Sequence, residues 1–332
     1  MNWQIIGHNW AVTLLRQAMA MDRVAHAYLF SGPPQIGKTR LARTLAQALN
    51  CVQPDPPCGK CSSCGKIEQD AHPDVRLIQG QGGRGSIKID QVRALQREAV
   101  LSPYEGRYRV YILRQVDLAT IEAANSLLKT LEEPPAHVVL VLTTADADLL
   151  PTTVVSRCQH LDLRPASHDT VKTSLCDRGT QKSRAKLLAR LSGGRVGWAL
   201  HAAQDDNVLQ RRQADLAQLF RLLAMDRVER LDFAQQASRD SVSLSGMIEL
   251  WTIWWRDLLL LHANGDSHII NVDRIDELRW LLSESTLPQV WGILTALQAT
   301  AAQLEANVNA RLALEALLFK LPRLEAKAGA VG

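Results

Sequence analysis

Gly32-Pro33-Pro34-Gln35-Ile36-Gly37-Lys38-Thr39 satisfies G-x-x-x-x-G-K-[ST] at every fixed position. It follows an apolar run and opens a helical pattern, a context in which the string has a physical meaning. Glycines let consecutive backbone N–H groups converge on one phosphate, and a helix N-terminus adds partial positive charge. Gly32 and Gly37 would shape the cradle, Lys38 would reach the terminal phosphates, and Thr39 would ligate magnesium. ATP or ADP with Mg2+ is the implied ligand. The alternative is a structural strand-turn-helix whose nucleotide site is vestigial.

Hydrolysis needs more than a cradle. A P-loop enzyme carries acids at the end of a neighbouring strand, to hold magnesium and ready water. The candidate strand, Arg109-Val110-Tyr111-Ile112-Leu113, runs instead into Arg114-Gln115-Val116-Asp117. Arg114 cannot ligate magnesium and Gln115 is no general base. Asp117 lies two residues beyond Gln115, past the strand end, and reads as a poor substitute. The other candidate strands end in Gln79-Gly80 and Thr143-Thr144. Little or no ATP hydrolysis by the chain itself is expected.

Cys51, Cys58, Cys61 and Cys64 follow C-x6-C-x2-C-x2-C directly after the P-loop helix. With Gly59 and Gly65 permitting tight turns, four thiolates at this spacing suit a closed tetrahedral site for structural Zn2+. Pro54, Pro56 and Pro57 stiffen a loop too poor in apolar side chains to hold itself together. Metal binding in such modules supplies on the order of 10 kcal/mol of folding energy. A reduced, metal-free cluster is the alternative, and an iron–sulfur cluster a remoter one. His72 reads as a loop residue, and Cys176 as an isolated helix cysteine.

These groups need elements to hold them. Short apolar runs alternate with helical patterns in the first half, which predicts a parallel sheet flanked by helices. Strands are expected at Ala27–Phe30, Val75–Ile78, Val110–Leu113, Val138–Leu142 and Gln159–Leu163. Helices are expected over Trp10–Met21, Lys38–Asn50, Asp90–Leu101 and Ile121–Glu132, with Asp90 as an N-cap and Pro134-Pro135 as a stop. After Pro165 the strand signal ends. Leu244, Ile248, Trp251, Trp255 and Leu258 share one helix face, as do Leu314, Leu317, Leu318 and Leu321. Five of the eight tryptophans, Trp251, Trp254, Trp255, Trp280 and Trp291, stand in this C-terminal half, where packing on helical faces with leucines explains them better than base stacking.

The bulk numbers exclude some classes. The chain has 332 residues, 46% hydrophobic and 22% charged, with a net charge of +4. That length allows two or three domains, and so mild a charge does not by itself make a nucleic-acid binder. No apolar stretch approaches the roughly 18–20 residues of a membrane span, and Met1–Trp10 shows no export signal. A cytoplasmic protein with no membrane partner is expected.

Several further segments carry a resemblance. Ile6-Gly7-His8, His26-Ala27-Tyr28-Leu29-Phe30 with the P-loop, Asn125-Ser126-Leu127-Leu128-Lys129-Thr130-Leu131-Glu132-Glu133-Pro134-Pro135, and Ser156-Arg157-Cys158 occur in that order. Together they resemble the clamp-loader branch of AAA+ proteins along nearly the whole chain. The resemblance implies an α/β AAA+ P-loop domain over 1–164, with an inserted zinc module at 51–64. A small helical lid would cover 165–206, and an all-α oligomerising collar 207–332. It implies that Arg157 of the SRC motif projects into the ATP site of a neighbouring subunit as an arginine finger, and that Arg195 after Gly193-Gly194 is a sensor for bound γ-phosphate or a helix cap. Implied partners are motor subunits, a delta-type wrench subunit, the sliding clamp, and primer–template DNA in the assembled complex. Arg84, Lys88, Arg93 and Arg97 form a basic face that either meets phosphates or is simply solvated. Motor subunits carry the acidic pair that Arg114 and Gln115 replace, so a stator-like role is favoured, with a gamma/tau-type motor as the alternative. Trp251-Thr252-Ile253-Trp254-Trp255-Arg256-Asp257 and Asn307-Val308-Asn309 look like collar segments of that stator-like class. Gln35 departs from the family's usual glycine.

Overall fold

Each of the five expected strands forms in the computed structural model: β1 (Ala27–Ser31), β2 (Val75–Ile78), β3 (Arg109–Leu113), β4 (Val138–Thr143) and β5 (Gln159–Asp162). The structure describes residues 3–80, 85–305 and 308–324. Arg84 and Asn307 therefore lie outside the described residues. The chain divides into two units: Met1–Arg178 with Gly194–Trp198, and Gly179–Gly193 with Ala199–Gly332.

In the first unit the strands pair in the order β2-β3-β4-β1-β5, every pair parallel. All residues of β1 and β4 are buried, which is why these strands read as unbroken apolar runs rather than alternating ones. Period-two alternation still sorts the side chains between faces. Tyr28, Phe30, Val110, Ile112, Val139 and Val141 pack on one side with α1 (Asn9–Ala20) and α2 (Lys38–Asn50). Leu29, Tyr111, Leu113, Leu140 and Leu142 pack on the other. That second face is covered by α4 (Ile89–Ala99) and α5 (Ile121–Glu132); the short α3 (Ser62–Glu68) precedes β2. Phe30 stands opposite Thr143, and Leu113 opposite Leu142. The C-terminal ends of β1, β4 and β3 thus form one edge, where open parallel sheets place their ligands.

Helix ends agree with expectation to within two residues, but one cap does not. Asp90 is not the N-cap of α4: the helix begins at Ile89. The Gln91 side chain reaches back to accept from the Lys88 backbone N–H at 3.0 Å. Asp90 sits in the first turn, where its charge favours the helix dipole without capping it. Thr120 caps α5 by accepting from Ala123 N–H at 3.2 Å, and the helix ends at Glu132, before Pro134. The one-turn α6 (Thr152–Val155) and α7 (His168–Asp177) complete the unit's helices up to Arg178.

No strand follows β5 among the described residues. Helices α8 (Lys182–Leu191), α9 (Val196–Gln204), α10 (Asn207–Ala224), α11 (Arg227–Ala237), α12 (Ser241–His262), α13 (Ile275–Ser283), α14 (Leu287–Glu305) and α15 (Ala310–Leu318) complete the chain, with α9 passing from one unit into the other. The second unit has its own core, in which Trp251, Trp254, Trp255, Leu244, Ile248, Leu258, Leu314, Leu317, Leu318 and Leu321 are all buried. Trp280 packs against that core, whereas Trp291 is 62% exposed. Arg230 ties the end of the unit together by donating to the Leu222, Leu318, Leu321 and Pro322 carbonyls. No described helix is long and apolar enough to cross a membrane.

Candidate functional site

The P-loop leaves the end of β1 in a conformation only glycine tolerates at its entry. Gly32 has φ +134°, and a Cβ there would stand 2.2 Å from the Leu163 carbonyl oxygen. Gly37, at φ +116°, sets the start of α2. Between them Gln35 takes φ +60°, a left-handed conformation unusual for a residue with a side chain. Two contacts hold the loop: His8 Nε2 lies 3.1 Å from the Ile36 carbonyl oxygen, and Gly197 N–H donates to the Gln35 carbonyl at 2.7 Å. A Cβ on Gly197 would crowd that same oxygen at 2.7 Å, so glycine permits this approach. The Arg195 segment is thereby laid on the P-loop, with the Arg195 guanidinium 6.0 Å from the Trp198 ring centroid.

Lys38 is folded onto its own loop, donating to the Gly32 carbonyl and, at 2.9 Å, to the Pro33 carbonyl. Burial brings its ammonium down to about 8, against the opposing charge of Asp117. Thr39 is half-buried in the first turn of α2. The loop keeps its left-handed turns at Gly32, Gln35 and Gly37, with its lysine turned inward onto its own carbonyls.

Past β3 the side chains divide. Arg114 Nη1 donates to Gln79 Oε1 at 3.0 Å. Gln115 is exposed, with φ +53° and its N–H donating to Thr143 Oγ1 at 3.2 Å. Neither is an acid. Asp117 sits in the short turn Val116–Leu118 that follows, and its Oδ1 is buried with no hydrogen-bond partner among the described residues. Sequence spacing set this residue aside, yet its charge acts on Lys38. The tight turn Val116–Leu118 after β3 carries it there, and residue spacing does not encode that turn.

Arg157 is not gathered with the P-loop residues. Its Nη2 pairs with Glu132 Oε1 at 2.6 Å and its Nη1 donates to the Thr153 carbonyl at 2.9 Å. Burial pushes the neighbouring Cys158 thiol up to about 12, which makes it a packing group rather than a reactive one.

The four cysteines do come together. Their sulfurs all lie within 4.8 Å of one another, with Cys51–Cys61 and Cys58–Cys64 each at 4.0 Å. Tetrahedral Zn–S bonds would place sulfurs roughly 3.8 Å apart. Backbone N–H groups already point at the sulfurs: those of Lys60 and Cys61 at Cys58 Sγ (3.4 and 3.2 Å), and that of Cys58 at Cys51 Sγ (3.4 Å). The Lys60 and Cys61 N–H groups draw the Cys58 thiol down to about 6, while burial pushes Cys51 and Cys64 up. The donor set and its spacing fit a four-thiolate metal. His72 is no part of it, because its Nε2 meets Ser63 Oγ at 3.1 Å and its Nδ1 accepts from Asp74 N–H. On α4, Arg93 and Arg97 are exposed one turn apart, with Lys88 exposed just before.

A model of the family described as DNA polymerase III, delta subunit, matches residues 7–167. The DNA polymerase III delta-prime subunit of Bacillus subtilis is 30% identical over 313 residues, covering 93% of this chain and 94% of its own length. The chain belongs to the DNA polymerase III delta-prime family. Delta-prime membership is separable from a likeness to the tau subunit of Escherichia coli, which is 36% identical but covers only 52% of this chain and 26% of tau. A DNA polymerase III gamma-subunit-related protein of Thermotoga maritima aligns over 93% of this chain at 18% identity and a TM-score of 0.46, too remote to carry a functional argument. The delta-prime match extends through the helical second unit.

Proposed function

We propose that this chain is a non-hydrolysing subunit of a DNA polymerase III clamp loader. It would lend Arg157 to a motor neighbour and help place a sliding clamp on primed DNA. The observation that carries this reading is the pairing of a complete P-loop with a β3 end that offers Arg114 and Gln115 in place of acids. Arg157, on a firm turn outside the chain's own P-loop, supports action in trans. Such a finger supplied to a neighbour is worth about 10³–10⁵ in rate. In this reading residues 1–164 form the AAA+ domain, 165–206 the lid and 207–332 the collar, and the protein works in the cytoplasm. Zn2+ at Cys51, Cys58, Cys61 and Cys64 is structural. The exposed Arg93 and Arg97 on α4, with Lys88, would meet DNA phosphates in the assembled complex.

Reconstitution with motor subunits, a delta-type subunit, clamp and primed DNA tests it. Arg157→Ala should leave assembly intact and abolish most DNA-stimulated ATP turnover, and unchanged turnover would remove the finger. A second reading, a gamma/tau-type motor, draws on Asp117, whose charge reaches Lys38. That reading requires the lone chain to hydrolyse ATP well above background and to lose this on Lys38→Ala.

A further inference from the structure

From the geometry around Arg157 we infer that Glu132 is a positioning residue for the finger, fixing the guanidinium in the direction from which it reaches a neighbour's phosphate. This rests on the finger reading and adds to it a residue whose role is orientation. Arg157 follows a single helical turn, and its backbone is tied down by Arg157 N–H donating to the Val154 carbonyl at 3.2 Å and Cys158 N–H to the Val155 carbonyl at 3.1 Å. Cys158 packs against the core beneath the sheet. The backbone is therefore fixed, while an unsupported arginine side chain would sample many rotamers. Two contacts remove that freedom: the Thr153 carbonyl takes Nη1 and the Glu132 carboxylate takes Nη2. The guanidinium keeps about a third of its exposure, so it is clamped without being hidden.

Helix stability does not account for Glu132. It is the last residue of α5, at the negative end of the helix dipole, where an acid is disfavoured. It is also half exposed, so as an ordinary surface pair it contributes little to folding. Replacing it by alanine should leave the fold as stable as before. What the carboxylate does contribute is an oriented fork, and pre-orientation of a charged group is worth more at a reacting centre than in solvent.

The test uses the reconstituted loader with this chain as the only variant. Glu132→Ala should lower kcat of DNA-stimulated ATP turnover roughly tenfold, with KM for ATP, assembly and the unfolding midpoint unchanged. Glu132→Gln, whose amide oxygen can still accept from Nη2, should keep at least about half the activity. The Glu132→Ala/Arg157→Ala pair should be no slower than Arg157→Ala alone, because a positioning residue has nothing left to position. A Glu132→Ala loader turning over as fast as wild type, or faster, overturns the inference, as does a double variant slower than the single one. If Arg157→Ala itself turns over normally, the finger reading falls and the positioning role with it. A damaging Arg157→Ala beside a neutral Glu132→Ala removes the positioning role alone.

Discussion

The cysteine cluster and the P-loop lie at opposite ends of α2, and they are prepared for their ligands in opposite ways. Around Cys58 the backbone N–H groups already face the sulfur and pull its thiol towards thiolate at about 6. Around Lys38 the ammonium itself is spent on the loop, bonded to the Gly32 and Pro33 carbonyls. A site whose four ligand atoms already stand together binds metal without moving them, giving up only thiol protons, and suits a permanent resident. A site that must exchange its own hydrogen bonds for a ligand's binds more weakly and reversibly. The difference predicts that metal is a part of the fold, whereas nucleotide is a visitor.

The sharpest way to break this contrast is to remove the metal. Elemental analysis of protein purified without chelators should give one zinc per chain. Cys58→Ser or a strong chelator should then unfold the 51–64 segment, a loss on the order of 10 kcal/mol of local stability. Proteolysis confined to that segment is the readout. Absence of zinc, or an equally resistant Cys58→Ser protein, would make the cluster no more than four reduced thiols.

A smaller effect concerns the scaffold beside the cluster. Asp74 is buried; burial pushes its carboxyl up, but N–H groups of Tyr104, Glu105 and Gly106 and the charge of Arg109 pull it below the ordinary range. Its folded value is therefore below its unfolded one. The stabilisation is complete above about pH 4 and is lost as pH falls through the lowered value. Asp74→Asn should cost roughly 2–3 kcal/mol near neutrality. It should also flatten the acid limb of the stability curve, followed by denaturant titration from pH 7 to 3. A variant as acid-sensitive as wild type would show that other carboxylates govern that limb.

The lysine of the P-loop gives a pH signature of its own. Its folded value of about 8 lies below the ordinary 10.5. The cost of burying the ammonium is present below pH 8 and relieved as pH rises past it. Triphosphate needs the charged form, so ATP affinity should fall above about pH 8, with proton uptake visible as a buffer-dependent binding enthalpy. Asp117→Asn removes the charge that favours the ammonium and should move that fall to lower pH. Affinity flat from pH 7 to 9 would show that Lys38 stays charged throughout.

Much of this was legible beforehand because it rests on local rules. The central strands β1 and β4 followed from apolar runs that a doubly covered sheet requires, and the thiol cluster followed from spacing alone. Asp90 misled because a short acidic residue before an apolar run looks like a cap, while Gln91 supplied the bond from inside the helix. Asp117 and Glu132 were illegible for another reason. One is brought into the field of Lys38, 79 positions upstream, by a turn after β3, and the other meets Arg157, 25 positions downstream, with β4 between them in the chain. No periodicity encodes such pairs.

The finest test of the contrast is Gln35. It holds a left-handed conformation at φ +60°, which costs a residue with a side chain about 1 kcal/mol that glycine does not incur. Its side chain is exposed, and the bond that pins the loop comes from its backbone carbonyl, which accepts from Gly197 N–H at 2.7 Å. Gln35→Gly removes the strain and keeps that bond. The first unit should gain up to about 0.6 kcal/mol, the relieved strain less the roughly 0.4–1 kcal/mol that glycine's freedom costs in the unfolded chain, read as a higher denaturant midpoint with an unchanged slope. A loop able to turn its lysine outward more easily should also bind ATP a few-fold more tightly, while zinc content stays the same. A lower midpoint would mean that the added backbone freedom of glycine in the unfolded chain outweighs the strain. Unchanged ATP affinity would mean that the inward lysine, and not the loop backbone, sets the cost of admitting nucleotide.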